Sequence, residues 1–362
     1  MTKKYLETDV VTEAKKRIKE MIAMFDNVQV NFSGGKDSLV VLHLVKQVYD
    51  EMGIKKPVRV VFRDEEIIPN VVINFVKEYM DKDWVDMRWF CFPMKSDKSF
   101  ILTKEEYVQW DTMRDHVREM PEWAIVGTEL LDQYTSAEFM ASDLEGTVID
   151  VLGMRADESI NRMRGCLMSP NGRPHILYQK GRFAIGKPIY DWTENDIFKF
   201  LYDNHIQYCK VYDYELWSKN ELRVATPLHS EAIRNISKLK AQDPDFFNRI
   251  CRVFPECHAT EKYIDAKMSK SEDNLPTTTK GIIELIDRKY SGVWKKKALK
   301  ELKKIIIIKR SQNPNEENKY RGYSWLSVIR LLNGGNIKRG ISPNYVINDE
   351  IIKFEKEFVD DL

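Results

Sequence analysis

Val28-Gln29-Val30-Asn31-Phe32-Ser33-Gly34-Gly35-Lys36-Asp37-Ser38-Leu39 is the stretch on which the fold turns. Val28–Phe32 is a short β-type run that stops at Ser-Gly-Gly. Leu39–Tyr49 then sets Leu39, Leu42, Val45 and Val48 on one helical face. A strand that breaks into two glycines and resumes as a helix is suited to meet an anion. Glycine opens backbone conformations closed to other residues, and a helix start presents unpaired N–H groups and the positive end of its dipole. Ser33 and Ser38 add hydroxyls, and Lys36 adds a point charge for phosphate oxygens. Asp37 would repel an anion, and it makes sense if a Mg²⁺ ion sits between it and the phosphates. Neither GxxxxGK[ST] nor GxGxxG occurs. An ordinary tight turn capped by serine would not need Lys and Asp together.

Outward from this loop, apolar strands and amphipathic helices alternate. Val10–Phe25 carries Val11, Ala14, Ile18, Ile22 and Phe25 at helical spacing, Val58–Phe62 is a second strand, Pro69–Met80 a helix, Met87–Phe92 a third strand and Thr147–Leu152 a fourth. Thr193–Asn204 reads as a helix announced by Thr193 with Asp196 three residues on, close to a capping box. The alternation predicts an α/β fold, a parallel twisted sheet with helices on both faces. Lys95–Gly146 interrupts it and is read as a mostly helical insertion. Beyond about residue 215 the strand signal fades. The expected organisation is an α/β domain over 1–215 with its insertion at about 95–146, and a mostly helical domain over 216–362.

The chain has 362 residues, 43% of them hydrophobic, ordinary for a globular protein. No 18-residue apolar span is present, and the charged Met1–Glu20 segment has no apolar signal core, so a cytoplasmic protein is expected. Cys91, Cys166, Cys209, Cys251 and Cys257 are scattered and form no CxxC pair, which argues against a disulfide framework or a zinc ribbon. The net charge is +1, yet Arg288–Arg310 holds ten Lys/Arg against one acid, Glu301. That segment is either a solvated helix face or a patch that contacts nucleic acid or a DNA-binding partner.

A second basic cluster follows the fourth strand. Arg155 and Arg162 are seven apart, so on a helix they would share a face, with Glu158 to orient them and Ser159 and Arg164 nearby. Arginine suits bidentate contact with sulfate or phosphate. A second oxyanion and an Arg–Glu network pinning a helix start both fit. Asp64, at a strand end, could meet a ribose hydroxyl or a metal, or serve as a turn acid. Arg173, Lys180, Arg182 and Lys187 form a further basic stretch that could close over phosphates or lie in solvent. His43 is read as a packed or exposed helix residue, and Trp84, Trp89, Trp110, Trp123 and Trp192 as core.

Ser33–Ser38 closely resembles the loop of the PP-loop ATP pyrophosphatases, and the wider match is to their phosphoadenosine phosphosulfate reductase-like branch. Val60-Val61-Phe62-Arg63-Asp64 resembles the second strand with its terminal acid, and Trp89-Phe90-Cys91-Phe92-Pro93 a third-strand segment. Gly153-Met154-Arg155-Ala156-Asp157-Glu158-Ser159 with Arg162 resembles the GxRxxES…R signature, and Lys187-Pro188-Ile189-Tyr190-Asp191-Trp192-Thr193 a Pro–Asp–Trp segment before a helix. The resemblance covers roughly residues 10–230. The C-terminal part, with Tyr323-Ser324-Trp325, is similar to an IbrA-type subgroup found near mobile elements. The resemblance implies an adenine nucleotide such as ATP bound near the strand ends, with Mg²⁺, and chemistry at the α–β phosphate bond. It implies Ser33, Gly34, Gly35, Lys36, Asp37, Ser38, Asp64, Gly153, Arg155, Glu158 and Ser159 as nucleotide-binding positions. Lys36, Asp37, Arg155 and Arg162 are the implied catalytic set, with Asp37 on the metal.

The family pattern breaks at its cysteine segment, and a second string imitates another family. Sulfonucleotide reductases resemble one another in an ECGxH-type segment whose cysteine is the nucleophile, whereas Glu256-Cys257-His258-Ala259 lacks the glycine, so classical reductase chemistry is not expected. Lys267-Met268-Ser269-Lys270-Ser271 reproduces a string of class I aminoacyl-tRNA synthetases, but the partner HIGH-type motif is absent from the early chain. The expected functions are an adenylating enzyme that releases pyrophosphate or a handler of sulfonucleotides. The alternatives are a nucleotide-binding regulatory module acting with DNA or a partner protein, and sulfur transfer to nucleic acid.

Overall fold

A computed structural model describes residues 7–100, 104–167, 172–179, 181–217, 226–229, 232–268, 275–311, 322–334, 337, 340, 341, 343 and 348–362. The chain divides into two compact units, Met1–Met94 with Gln109–Val224, and Lys95–Val108 with Ala225–Leu362.

In chain order the elements up to residue 217 are α1 (Val10–Met24), β1 (Asn27–Asn31), α2 (Lys36–Glu51), β2 (Val58–Arg63), α3 (Asn70–Met80), β3 (Val85–Cys91), β4 (Met94–Ser99), β5 (Lys104–Gln109), β6 (Ile125–Val126), α4 (Gln133–Met140), β7 (Val148–Val151), α5 (Ile160–Leu167), β8 (Ile176–Tyr178), β9 (Phe183–Gly186), α6 (Glu194–Asp203) and α7 (Val211–Trp217). The first unit is built on a seven-stranded sheet in the order β6-β3-β2-β1-β7-β9-β8. All its pairings are parallel except β8 with β9. The strand direction of travel reverses at β1. The chain steps from β1 to β2 and β3 on one side, then returns to place β7 on the other. The crevice outside the C-terminal ends of β1 and β7 is thus the switch point at which open α/β sheets take ligands.

The apolar faces read from the sequence form one core. Ala14, Ile18 and Met21 of α1, Leu39, Leu42 and Val45 of α2, and Val28, Val30 and Val60 of the strands are buried together. One polar exception runs through the sheet. Gln29 is fully buried and donates to Asp150 Oδ1 of β7 at 2.5 Å, while Arg59 Nε of β2 donates to Gln29 Oε1 at 3.0 Å. Burial raises the Asp150 carboxyl above its usual range, with bonds from Gln29 and Asn31 opposing that shift. The expected capping box is formed: Thr193 Oγ1 accepts from Asp196 N at 3.3 Å, and Asp196 Oδ2 from Thr193 N at 2.7 Å.

The 95–146 insertion is not mostly helical. Among the described residues its regular structure is the two-stranded β4–β5 sheet, the short β6, and one helix, α4. The apolar and aromatic positions there serve strand pairing and burial in an irregular chain, and side-chain periodicity does not register such packing. Its middle is held by a buried carboxylate. Glu66, fully buried, accepts from the amides of Trp110 at 2.7 Å and Val117 at 2.9 Å, and from Arg114 at 2.6 and 2.7 Å. Glu66 and Trp110 both carry positive φ, 65° and 48°, a conformation that a non-glycine residue keeps only when its surroundings enforce it.

The second unit contains the β4–β5 sheet and α8 (Ile236–Gln242), α9 (Pro244–Val253), α10 (Glu256–Met268), α11 (Thr279–Lys289), α12 (Gly292–Ser311), α13 (Trp325–Gly334) and α14 (Asp349–Glu357). Asp243 caps α9 through Phe246 N at 2.9 Å, with Pro244 in the first turn, where its missing N–H costs nothing. Ile282, Ile286, Trp294, Leu302, Ile305, Ile329 and Leu332 form its core. Among the described residues no helix is long and apolar enough to cross a membrane.

Candidate functional site

The loop 33–38 lies at the C-terminal end of β1, where the sequence places it. Gly34 has φ +75°, and a Cβ there would meet Val72 Cγ1 of α3 at 2.8 Å, so only glycine fits. Ser38 Oγ accepts from Ser33 N at 3.2 Å, donates to Gly35 O at 2.9 Å and lies 3.2 Å from Ser33 Oγ. The two serines therefore close the loop on itself. Lys36 is 2% exposed. Its ammonium lies 3.3 Å from Asp37 Oδ2 and 3.2 Å from Glu194 Oε1, and 5.2 Å from the centre of the Tyr212 ring.

The loop after β7 reaches the same place. A Cβ on Gly153 would stand 2.5 Å from both Asp37 C and Ser38 N, so the two backbones touch there. Arg155, two residues on and buried, donates from Nε to Asp37 Oδ1 at 2.5 Å. Glu158 lies 4.0 Å from Arg155 Nη2 and pairs with Arg162. Ser159 Oγ accepts from Arg162 N at 3.2 Å at the start of α5. Gly153, Arg155, Glu158 and Arg162 thus form one chain of contacts leading into the loop 33–38. Arg155 precedes a short 3₁₀ turn at Ala156–Glu158 and Arg162 sits in α5. The glutamate, not a common helical face, links the two arginines.

Two expectations change, while Asp37 is held between two cations, its carboxylate oxygens facing Arg155 and Lys36. Among the described residues no group of three or more His, Cys, Asp or Glu side chains could hold a metal. Asp64 is buried and spends its carboxylate on Trp89 Nε1 at 2.9 Å, Glu66 N at 2.9 Å and Arg118. It fixes the end of β2 and leaves no oxygen turned to a ribose. The basic stretch also splits up. Arg173 pairs with Glu20 at 2.8 Å, and Arg182 donates to Leu144 O at 2.7 Å and Ala141 O at 2.9 Å. Lys187, directly after β9, is 4% exposed with Nζ 3.8 Å from Cys166 Sγ. Lys180 lies outside the described residues. Asp191 and Trp192 anchor their segment to α1: Arg17 grips Asp191 with two bonds of 2.7 Å, and Trp192 Nε1 donates to Val10 O at 3.2 Å.

Sequence reading missed Tyr212 and Glu194, both close to Lys36. Tyr212 is 3% exposed, and its hydroxyl accepts from Lys36 N at 2.8 Å. Neither falls within a motif. Glu194, as the first residue of a clearly capped helix, could have been found. His43 packs on Tyr79 and Trp84, and burial pulls it down to about 4. The five cysteines are buried and free. Burial pushes the Cys257 thiol up, with Cys251 and Glu256 adding to the shift. In the 267–271 string, Lys267 and Met268 end α10, and the three residues after them lie outside the described ones.

The basic segment resolves into two sets. Lys295 pairs with Asp287 at 3.2 Å, Lys309 with Glu355 at 2.6 Å and Arg310 with Asp360 at 2.7 Å. Lys296, Lys300, Lys303 and Lys304 are exposed and have no acidic partner among the described residues. They line one stripe of α12, away from buried Trp294, Ala298, Leu302 and Ile305.

Residues 27–253 match the phosphoadenosine phosphosulfate reductase domain. The Escherichia coli (strain K12) protein described as uncharacterized protein YbdN is 27% identical over 278 residues, 68% of this chain and 65% of that one. The match thus spans about two thirds of that relative's length. Among solved structures, FMN adenylyltransferase from Candida glabrata with FAD and inorganic pyrophosphate is similar at TM-score 0.40 and 14% identity, over 57% of this chain and 62% of that one. Phosphoadenylyl-sulfate reductase from Candida auris is similar at 0.34 and 11%, over 59% and 94%. The U34-tRNA thiolase NcsA from Methanococcus maripaludis is similar at 0.30 and 12%, over 72% and 82%.

Proposed function

This chain belongs to the phosphoadenosine phosphosulfate reductase domain family, and on that premise we propose that loop 33–38 holds the polyphosphate of ATP or a close adenine nucleotide and that the site acts on its α–β linkage. In the adenylating form, an acceptor oxygen attacks the α-phosphorus. The bond to the bridging oxygen breaks, and pyrophosphate leaves with the electron pair. A sulfonucleotide would use the same cradle. The observation that carries this reading is the meeting of two chain-distant motifs at the switch point, with Gly153 against the Asp37–Ser38 backbone and Arg155 on Asp37.

Each residue has a part in such a reaction. Backbone amides of the loop, with Ser33, Ser38 and Lys36, bind phosphate oxygens. Arg155 and Arg162 neutralise charge that grows on the leaving group. Asp37 aims Lys36 and Arg155. No protein nucleophile is required, because positioning and fixed charge can supply the rate. That agrees with a Cys257 thiol that burial keeps protonated. The test is incubation of the purified chain with ATP and Mg²⁺. AMP and pyrophosphate are expected, whereas ADP and phosphate would overturn the reading.

A second reading has its own observation, the unpaired lysine stripe of α12. Successive stripe positions four residues apart lie about 6 Å apart along a helix, close enough to follow one strand of a polyanion. The reading is contact with nucleic-acid phosphates. Duplex DNA should be retarded at low salt and released as salt rises, and reversal of Lys296, Lys300 and Lys304 to Glu should abolish the shift. No retardation of the unaltered chain at low salt would remove it.

A further inference from the structure

The amide at the mouth of the phosphate loop already has an acceptor. Lys36 is the first residue of α2, so its N–H is one of the unpaired donors of the helix start. Tyr212 Oη, from the first turn of α7, takes that donor at 2.8 Å. Two features hold the phenol there. Its ring lies over the Lys36 ammonium, with 5.2 Å from Nζ to the ring centre, a favourable cation–π geometry. Gly35 gives it room, since a Cβ at Gly35 would stand only 3.2 Å from the hydroxyl. Burial raises the phenol's pKa and keeps it neutral.

We propose that Tyr212 is the resting occupant of the phosphate cradle, its hydroxyl standing where a ligand phosphate oxygen goes, and that binding of the nucleotide's polyphosphate displaces it. This rests on the assignment of loop 33–38 as the phosphate site. A neutral hydroxyl is the weaker acceptor. A phosphate oxygen makes a charge-assisted bond roughly twice as strong, and the helix start favours negative charge further. The exchange therefore runs toward ligand, at the expense of one neutral hydrogen bond and of the cover the ring gives Lys36. While seated, the phenol supplies an acceptor to a buried helix-start amide. Tyr212 is thus a positioning residue. It keeps the loop formed when no ligand is present and sets how tightly a phosphate is held.

The test is calorimetric titration of the full chain with inorganic pyrophosphate and with ATP, comparing wild type with Tyr212→Phe. The phenylalanine keeps the ring over Lys36 and removes only the competing acceptor. Affinity for both ligands should rise about two- to tenfold, the equivalent of one neutral hydrogen bond. Equal or weaker binding by a folded Tyr212→Phe chain, with the wild type binding, overturns the displacement and leaves the phosphate site standing. Binding by the variant alone supports it. Binding by neither chain overturns the phosphate site and this inference together. Should the variant fail to fold, amide exchange on the wild type decides. Pyrophosphate is expected to speed exchange across 209–217, and unchanged protection there, with ligand bound, overturns the proposal.

Discussion

Gly153→Ala isolates the contact that joins the two motifs. The glycine has no positive φ, so alanine brings no backbone strain, only a methyl group. That methyl would stand 2.5 Å from Asp37 C and Ser38 N, nearly an ångström inside the 3.4 Å at which ordinary contact begins. Both opposing atoms are backbone in the first turn of α2, which cannot rotate away. The β7 loop and the phosphate loop must separate. Overpacking of this kind costs about 1–3 kcal/mol, or roughly 2–4 °C in melting temperature per kcal/mol for a unit of this size. Gly165→Ala supplies the control. A Cβ there meets nothing within 4 Å, and the residue is in α5, so it should gain up to about 1 kcal/mol of helix propensity. Melting is followed by tryptophan fluorescence, with Trp89, Trp110 and Trp192 all buried in the first unit. If the site acts on nucleotide, a displacement near 1 Å should lower turnover roughly a hundredfold. A Gly153→Ala chain that melts with the wild type and binds ATP equally well would refute the close approach.

Other substitutions test separate links. Glu66→Ala removes the buried carboxylate that receives the Trp110 and Val117 amides and Arg114, and should destabilise the first unit by about 3–5 kcal/mol. Glu66→Gly should be milder by about 1 kcal/mol, because φ is +65° there. Equal melting of the two variants would deny any strain at that position. Asp150 carries a raised carboxyl pKa in the folded chain. Its contribution is therefore fully present below the unfolded carboxyl pKa and is lost as pH rises through the folded one. Asp150→Asn should melt higher than wild type near pH 8, with the advantage shrinking toward pH 4; a pH-independent difference would contradict the assignment. Lys36→Ala should weaken ATP binding by about 10- to 100-fold, the loss of one charged hydrogen bond, while calorimetry showing unchanged affinity would dismiss the site.

The strands β1, β2, β3 and β7 with the helices α1, α2 and α3, the loop at 33–38 and the capped α6 were legible from local pattern, because each depends on neighbours within a few residues, whereas β8 and β9 were not. Apolar periodicity locates a strand or helix wherever one face is buried, and glycines before a helix mark a turn without reference to the rest of the chain. The 95–146 segment differs from its reading because its β4–β5 pair carries polar and charged residues with no clean apolar alternation, and because β6 and the Glu66 hub depend on partners tens of residues away.

What the sequence determined alone was that a β-strand ends in an anion-suited loop and that an Arg–Glu cluster follows a later strand. Only tertiary structure decided which charges remain available. It placed Arg155 on Asp37, took Asp64 into a buried network with Trp89 and Arg118, dispersed Arg173 and Arg182 onto other partners, and brought Tyr212 onto the Lys36 amide. The reason is physical. A buried charge or amide must find a partner, and that partner is chosen by the packing of distant elements, which no run of adjacent residues encodes.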